Sequence, residues 1–123
     1  MEGGRRPRPV TPAPARGCSG AARTLWEDAE VTAVVALSDV HAAAAIRVAR
    51  DRGMAVPDDV SVIGYDDAPV AALTDLSTIR QPIVEKGRQA AVMLLDRIAG
   101  GGRKRTVLRT RLVERGSTAA PRL

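Results

Sequence analysis

Residues 31–67 read VTAVVALSDVHAAAAIRVARDRGMAVPDDVSVIGYDD, and the pattern inside this stretch decides the fold. Val31–Leu37 is a short apolar run rich in β-branched residues, the composition of a strand buried on both faces, as in a parallel sheet. Ser38 and Asp39 follow it, and both are favoured helix N-caps. Ala42, Ala45, Ile46 and Ala49 then recur with helical spacing and share one face. Arg47, Arg50 and Arg52 face elsewhere, the last two suiting the negative end of the helix, and Gly53 is placed to stop it. After a turn at Pro57–Asp59, Val60–Tyr65 is a second apolar strand. Strand, helix and strand over about 34 residues make one βαβ unit, whose crossover is expected to be right-handed.

Downstream, residues 66–77 read as a loop and Thr78–Gln81 as a short extended piece. Pro82 suits the first turn of a helix over residues 83–99. Ile83, Ala90, Ala91, Leu94, Leu95 and Ile98 fall on one face of that helix. Gly87 inside it costs about 1 kcal/mol against alanine, which predicts a close contact there. Gly100, Gly101 and Gly102 end the helix, and Thr106–Val113 alternates as a last strand with Leu108, Thr110 and Leu112 on one side. Upstream, residues 1–23 are Pro, Gly, Ala and Arg with almost no large apolar side chain, and read as a disordered leader. The fold class expected is α/β, a partial parallel sheet built from βαβ, a long helix and a last strand, and incomplete as it stands.

The length of 123 residues suits one domain. The net charge of +5 is uneven: +4 over residues 1–23, −5 over 24–102 and +6 over 103–123. Basicity therefore belongs to the two ends, and the middle is no nucleic-acid surface by charge. Direct DNA contact is not expected, and Arg103, Lys104, Arg105, Arg109, Arg111 and Arg115 read as a solvated turn and strand face. One cysteine, Cys18, excludes an internal disulfide and fits a reducing compartment. No apolar run approaches the roughly 20 residues of a membrane span, and no secretory signal opens the chain, so a cytoplasmic location is expected.

In an open parallel sheet, ligands bind beyond the carboxyl ends of the strands. Two such ends are visible, one delivering Ser38-Asp39 and the other Asp66-Asp67. Hydroxyls and carboxylates there suit a hydroxyl-rich small molecule, because carboxylates accept charge-assisted hydrogen bonds. The same residues also fit a helix cap and a turn. Catalysis is not expected: Ser38, Asp39 and His41 lie within one helical turn, unlike a converging triad, and the adjacent Asp66 and Asp67 point apart. No cofactor and no metal site is read from the sequence.

The order of several blocks resembles the C-terminal third of LacI/GalR transcription regulators: the strand ending in Ser38-Asp39, VPDDVSVIGYDD at residues 56–67, TIRQP at 78–82, the glycine-containing helix after it, and LVERGST at 112–118. The resemblance runs over residues 24–118, leaving 119–123 as a tail. It implies a periplasmic-binding-protein-like fold with an effector, a sugar, in a cleft between two lobes. It implies ligand contacts at Ser38 (mostly Asn in relatives), Asp66 and Gln81, and a dimer surface at Val70, Leu73 and Leu76. It also implies a fragment of an effector-binding domain without the helix-turn-helix, whose long helix would dock on a lobe this chain does not contain. Marginal stability, association into homo-oligomers, or pairing with full-length regulators then follow as expectations, with a transport-type sugar-binding fragment as the remaining alternative.

Overall fold

The computed structural model describes residues 17–28 and 30–121. Its elements are α1 (Cys18–Leu25), β1 (Ala33–Val35), α2 (Asp39–Asp51), β2 (Ser61–Asp66), α3 (Pro69–Leu73), β3 (Ser77–Arg80), α4 (Ile83–Ile98) and β4 (Arg111–Val113). The strands form one sheet in the order β1-β2-β3-β4. β1 runs parallel to β2 and β2 to β3, while β4 returns antiparallel beside β3. The carboxyl ends of β1, β2 and β3 therefore lie on one edge. The α/β class and the parallel βαβ unit are as the sequence indicated, and the extended piece near residue 78 is a full third strand.

The helix face read from the spacing is the one that packs. Ala42, Ala45, Ile46 and Ala49 are all buried, against Val60, Val62 and Leu76 from the sheet side. Alanines on that face let the helix sit close to the strands, and Ile46 and Leu76 each contribute about 1.5–3 kcal/mol by leaving water. Ser38 is the N-cap of α2. Gly53, with φ of 77°, turns the chain away after the last helical residue, in a left-handed conformation that glycine adopts without steric cost. Gly100 does the same after α4, with φ of 90°.

Several expectations are corrected. Helix α1 begins at Cys18, inside the stretch read as leader, so the boundary at residue 23 cuts a helix; residues 1–16 of that reading lie outside the described ones. Ala22 is buried, and Trp26 just after α1 donates from Nε1 to the Ala45 carbonyl at 3.2 Å, clamping α1 onto α2. The run Val31–Leu37 is a strand for only three residues, and it is not buried on both faces: Val35 is 79% exposed. β1 lies at the sheet margin, and among the described residues α2 is the helix that packs on the sheet. The loop after Asp67 contains α3, opened by Pro69. The last strand is confined to Arg111–Val113. Gly87 marks no close contact, since a Cβ there would meet nothing within 4 Å.

The apolar face of α4 is left uncovered, as expected. No α4 residue is buried, and Leu95 and Ile98 are 67% and 75% exposed. The chain after β4 instead straps the amino ends of β2 and β3. Val62 N donates to the Ser117 carbonyl at 2.8 Å, Ser117 Oγ donates to the Val62 carbonyl at 2.6 Å, and Ser77 N donates to Ser117 Oγ at 2.8 Å. Ser117 thus takes the place beside β2 that β3 has not yet reached, since the β2–β3 register starts at Ile63 and Ser77.

Candidate functional site

The edge where β1, β2 and β3 end carries all three residues expected to touch a ligand, but it does not join them equally. Asp66 ends β2 and Gln81 follows β3, one register step beyond the Asp66–Arg80 pair. Gln81 Nε2 donates to Asp66 Oδ1 at 2.6 Å, and Lys86 Nζ donates to Gln81 Oε1 at 3.1 Å. The amide is thereby oriented at both ends. Asp66 Oδ2 takes no hydrogen bond among the described residues. Asp66 and Gln81 line an open depression of about 570 Å³ with Asp67, Arg80 and residues 82–85.

Ser38 stands at the same edge but is engaged within its own helix turn. Its Oγ is 2.6 Å from His41 Nδ1 in a hydrogen bond and accepts from the His41 backbone N–H at 3.4 Å. No hydrogen bond links it to Asp66 or Gln81. Asp39 completes no triad with that pair, because its carboxylate serves elsewhere. Thr78 Oγ1 donates to Asp39 Oδ1 at 2.5 Å, and Ala68 N donates to Oδ2 at 2.6 Å. With 1% exposure, Asp39 is neither a ligand contact nor a plain helix cap; it ties the start of α2 to the β2–α3 loop and to β3. Gly64 is what leaves room for it, since a Cβ there would collide with Asp39 Oδ1 and lie 2.9 Å from Leu76 Cδ2.

Asp67 has partners other than those of Asp66. It forms ion pairs with Arg80, through Nε, and with Arg115, whose Nη2 donates to Oδ1 at 2.8 Å. The Arg115 hydrogen bond first, and the Arg80 bond next, hold the Asp67 carboxyl below the usual carboxylate range against the opposing effect of desolvation. Arg115 is therefore no member of a solvated basic face, which corrects that reading. The available signal was the period of two: carried past β4, it puts Arg115 on the face of half-buried Val113. Of the expected dimer-surface residues, Leu73 is 84% exposed and Val70 half-buried, but Leu76 is fully buried in the core and cannot face a partner. Among the described residues no group of three potential metal ligands converges, and no helix is long and apolar enough to cross a membrane.

With that geometry in place, the comparisons with known proteins fall in one direction. The sequence profile of the periplasmic binding protein-like domain matches residues 2–118. The chain is 46% identical over 95 residues to the HTH-type transcriptional regulator MalR of Streptomyces coelicolor, covering 74% of this chain and 28% of that protein. It thus spans a little over a quarter of the curated relatives it matches. Among solved structures, the transcriptional regulator CelR–cellobiose complex superposes with a TM-score of 0.75 at 42% identity, covering 81% of this chain and 32% of that one. A LacI family transcriptional regulator from Arthrobacter sp. FB24 in complex with lactose gives 0.69 at 35% identity, covering 83% and 40%.

Proposed function

The chain belongs to the periplasmic binding protein-like domain family, in its LacI-type regulator branch, and from that premise we propose that it supplies one wall of a sugar-effector cleft. The Asp66–Gln81 pair carries this reading: a carboxylate with one oxygen held by an oriented amide and the other without a partner among the described residues, at the edge where three parallel strands end. A carboxylate accepts from sugar hydroxyls more strongly than a neutral acceptor does, and the Gln81 amide fixes its plane. Ser38 contributes a hydroxyl at the same rim. The binding is non-catalytic, its output is control of transcription inside the cell, and Leu73 with Val70 face the partner subunit of a dimer. The two sugar-bound neighbours support a disaccharide as the effector class.

The test is a titration of the isotope-labelled chain with cellobiose and with lactose, followed by amide NMR. Shifts confined to Asp66, Gln81 and their neighbours, and lost in Asp66→Ala, are the expected result. Shifts elsewhere, or none with either sugar, would overturn the reading.

A second reading, a fragment that pairs with intact regulators, is favoured by the uncovered apolar face of α4. Pull-down of an intact relative by the chain, abolished by charges at Leu95 and Ile98, separates it from the first.

A further inference from the structure

We propose that Arg115, together with Arg80, is a positioning residue for the rim: by gripping the Asp67 carboxylate they fix the left-handed turn that presents Asp66 to Gln81. The inference rests on the reading of Asp66 as the ligand contact. Asp66 and Asp67 have φ of 112° and 59°, two consecutive non-glycine residues on the side of φ space where Cβ is crowded. Asp tolerates the second value better than most residues, but the first lies outside the left-handed helical well, and such a conformation persists only where its surroundings over-determine it.

The surroundings do so here from four directions. Ala68 N is held by Asp39 at 2.6 Å, and Asp67 N by Thr78 Oγ1 at 3.4 Å. The Asp67 carboxylate is held on one oxygen by Arg80 and on the other by Arg115. Arg115 is itself anchored: Nη1 donates to the Leu76 carbonyl at 2.8 Å and its backbone N–H to Ser77 Oγ at 2.9 Å. The guanidinium therefore bridges the terminal strap, the start of β3 and the turn before α3. Its position is set by the sheet and not by the loop it restrains. A flexible YDD turn would let Asp66 swing off Gln81; the clamp removes that freedom before any ligand arrives, which is how preorganisation saves ordering entropy on binding.

The experiment reads the side-chain amide signals of Gln81 by NMR in the ligand-free chain, for wild type, Asp67→Asn, Arg115→Gln and Arg80→Gln, with Trp26→Phe as a control for general loss of stability. The three clamp variants are expected to move the Gln81 Nε2 signals toward those of free glutamine, while Trp26→Phe lowers the melting temperature and leaves them in place. Should Arg115→Gln fail to fold, Arg80→Gln, whose side chain is 45% exposed, carries the same measurement. Unmoved Gln81 signals in folded Asp67→Asn and Arg80→Gln, or equal movement in Trp26→Phe, would sink the proposal. With cellobiose added, the rim response in the clamp variants is expected to weaken about tenfold or more, the scale of one hydrogen bond to a charged group. An undiminished response in them would count against the clamp. A wild type that ignores both sugars would refute the proposed function alone, since the ligand-free Gln81 signals still judge the clamp.

Discussion

Three aspartates that look alike in sequence do three different jobs, and what separates them is the partner each one meets. Asp39 is buried on Thr78 and Ala68, Asp66 shares the rim with Gln81, and Asp67 sits between two guanidinium groups. For Asp67 the sign of the pH dependence follows. Its folded pKa lies below the ordinary carboxylate value it has in the unfolded chain. Its contribution to stability is therefore complete above the unfolded value, near pH 4, and is lost as pH falls through the folded value. Urea midpoints measured from pH 7 down to pH 3 are expected to fall less steeply in Asp67→Asn than in wild type, with the variant the less stable of the two at neutral pH. Equal slopes would mean that Arg115 and Arg80 do not discriminate the charged form.

At the scale of elements, α2 and α4 have the same kind of sequence pattern and opposite fates. The α2 face is covered by the sheet and supplies much of the core, while α4 buries no residue. This contrast governs what glycine substitution does. Gly87 sits in mid-helix at ordinary φ with nothing within 4 Å of its would-be Cβ, so Gly87→Ala is expected to raise α4 helicity and stabilise the chain by about 0.5–1 kcal/mol. Gly53 has equally open surroundings but φ of 77°, so Gly53→Ala is expected to cost about 1 kcal/mol. Far-ultraviolet circular dichroism during a urea titration reads both. A destabilising Gly87→Ala would reveal a close neighbour on α4 that the described residues do not supply.

At the scale of the whole molecule, α2 is the helix that packs on the sheet among the described residues, and it takes one side. The register places Tyr65, Ile79 and Leu112 on the other side, and Leu112 is 49% exposed. With the exposed Leu94, Leu95 and Ile98 of α4, these side chains offer apolar surface of the kind that marks association sites. Sedimentation is expected to show association that grows with concentration, and Leu95→Glu with Ile98→Glu is expected to reduce it while moving the urea midpoint by less than about 0.5 kcal/mol, because neither side chain is buried in the monomer. A monomer at all concentrations would show that these faces are tolerated as they stand.

What was legible in advance was whatever repeats within a few residues. The period of α2, its Ser38 cap and Gly53 stop, the apolar runs at β1 and β2, and hence the shared edge at Ser38 and Asp66 follow from local spacing, because backbone geometry imposes fixed repeats on each element, whereas Gln81 entered only through the resemblance to LacI/GalR regulators. The residues of α1 carry too few large apolar side chains for such a signal, and buried Ala22, the Arg47–Ser19 hydrogen bond and the Trp26 bond to Ala45, 19 residues away, secure it instead. The fates of Asp39 and Asp67 were decided only by the folded chain, through Thr78 at 39 residues' separation and Arg115 at 48. An ion pair or a buried hydrogen bond depends on where two distant segments come to rest, and no local periodicity encodes that meeting.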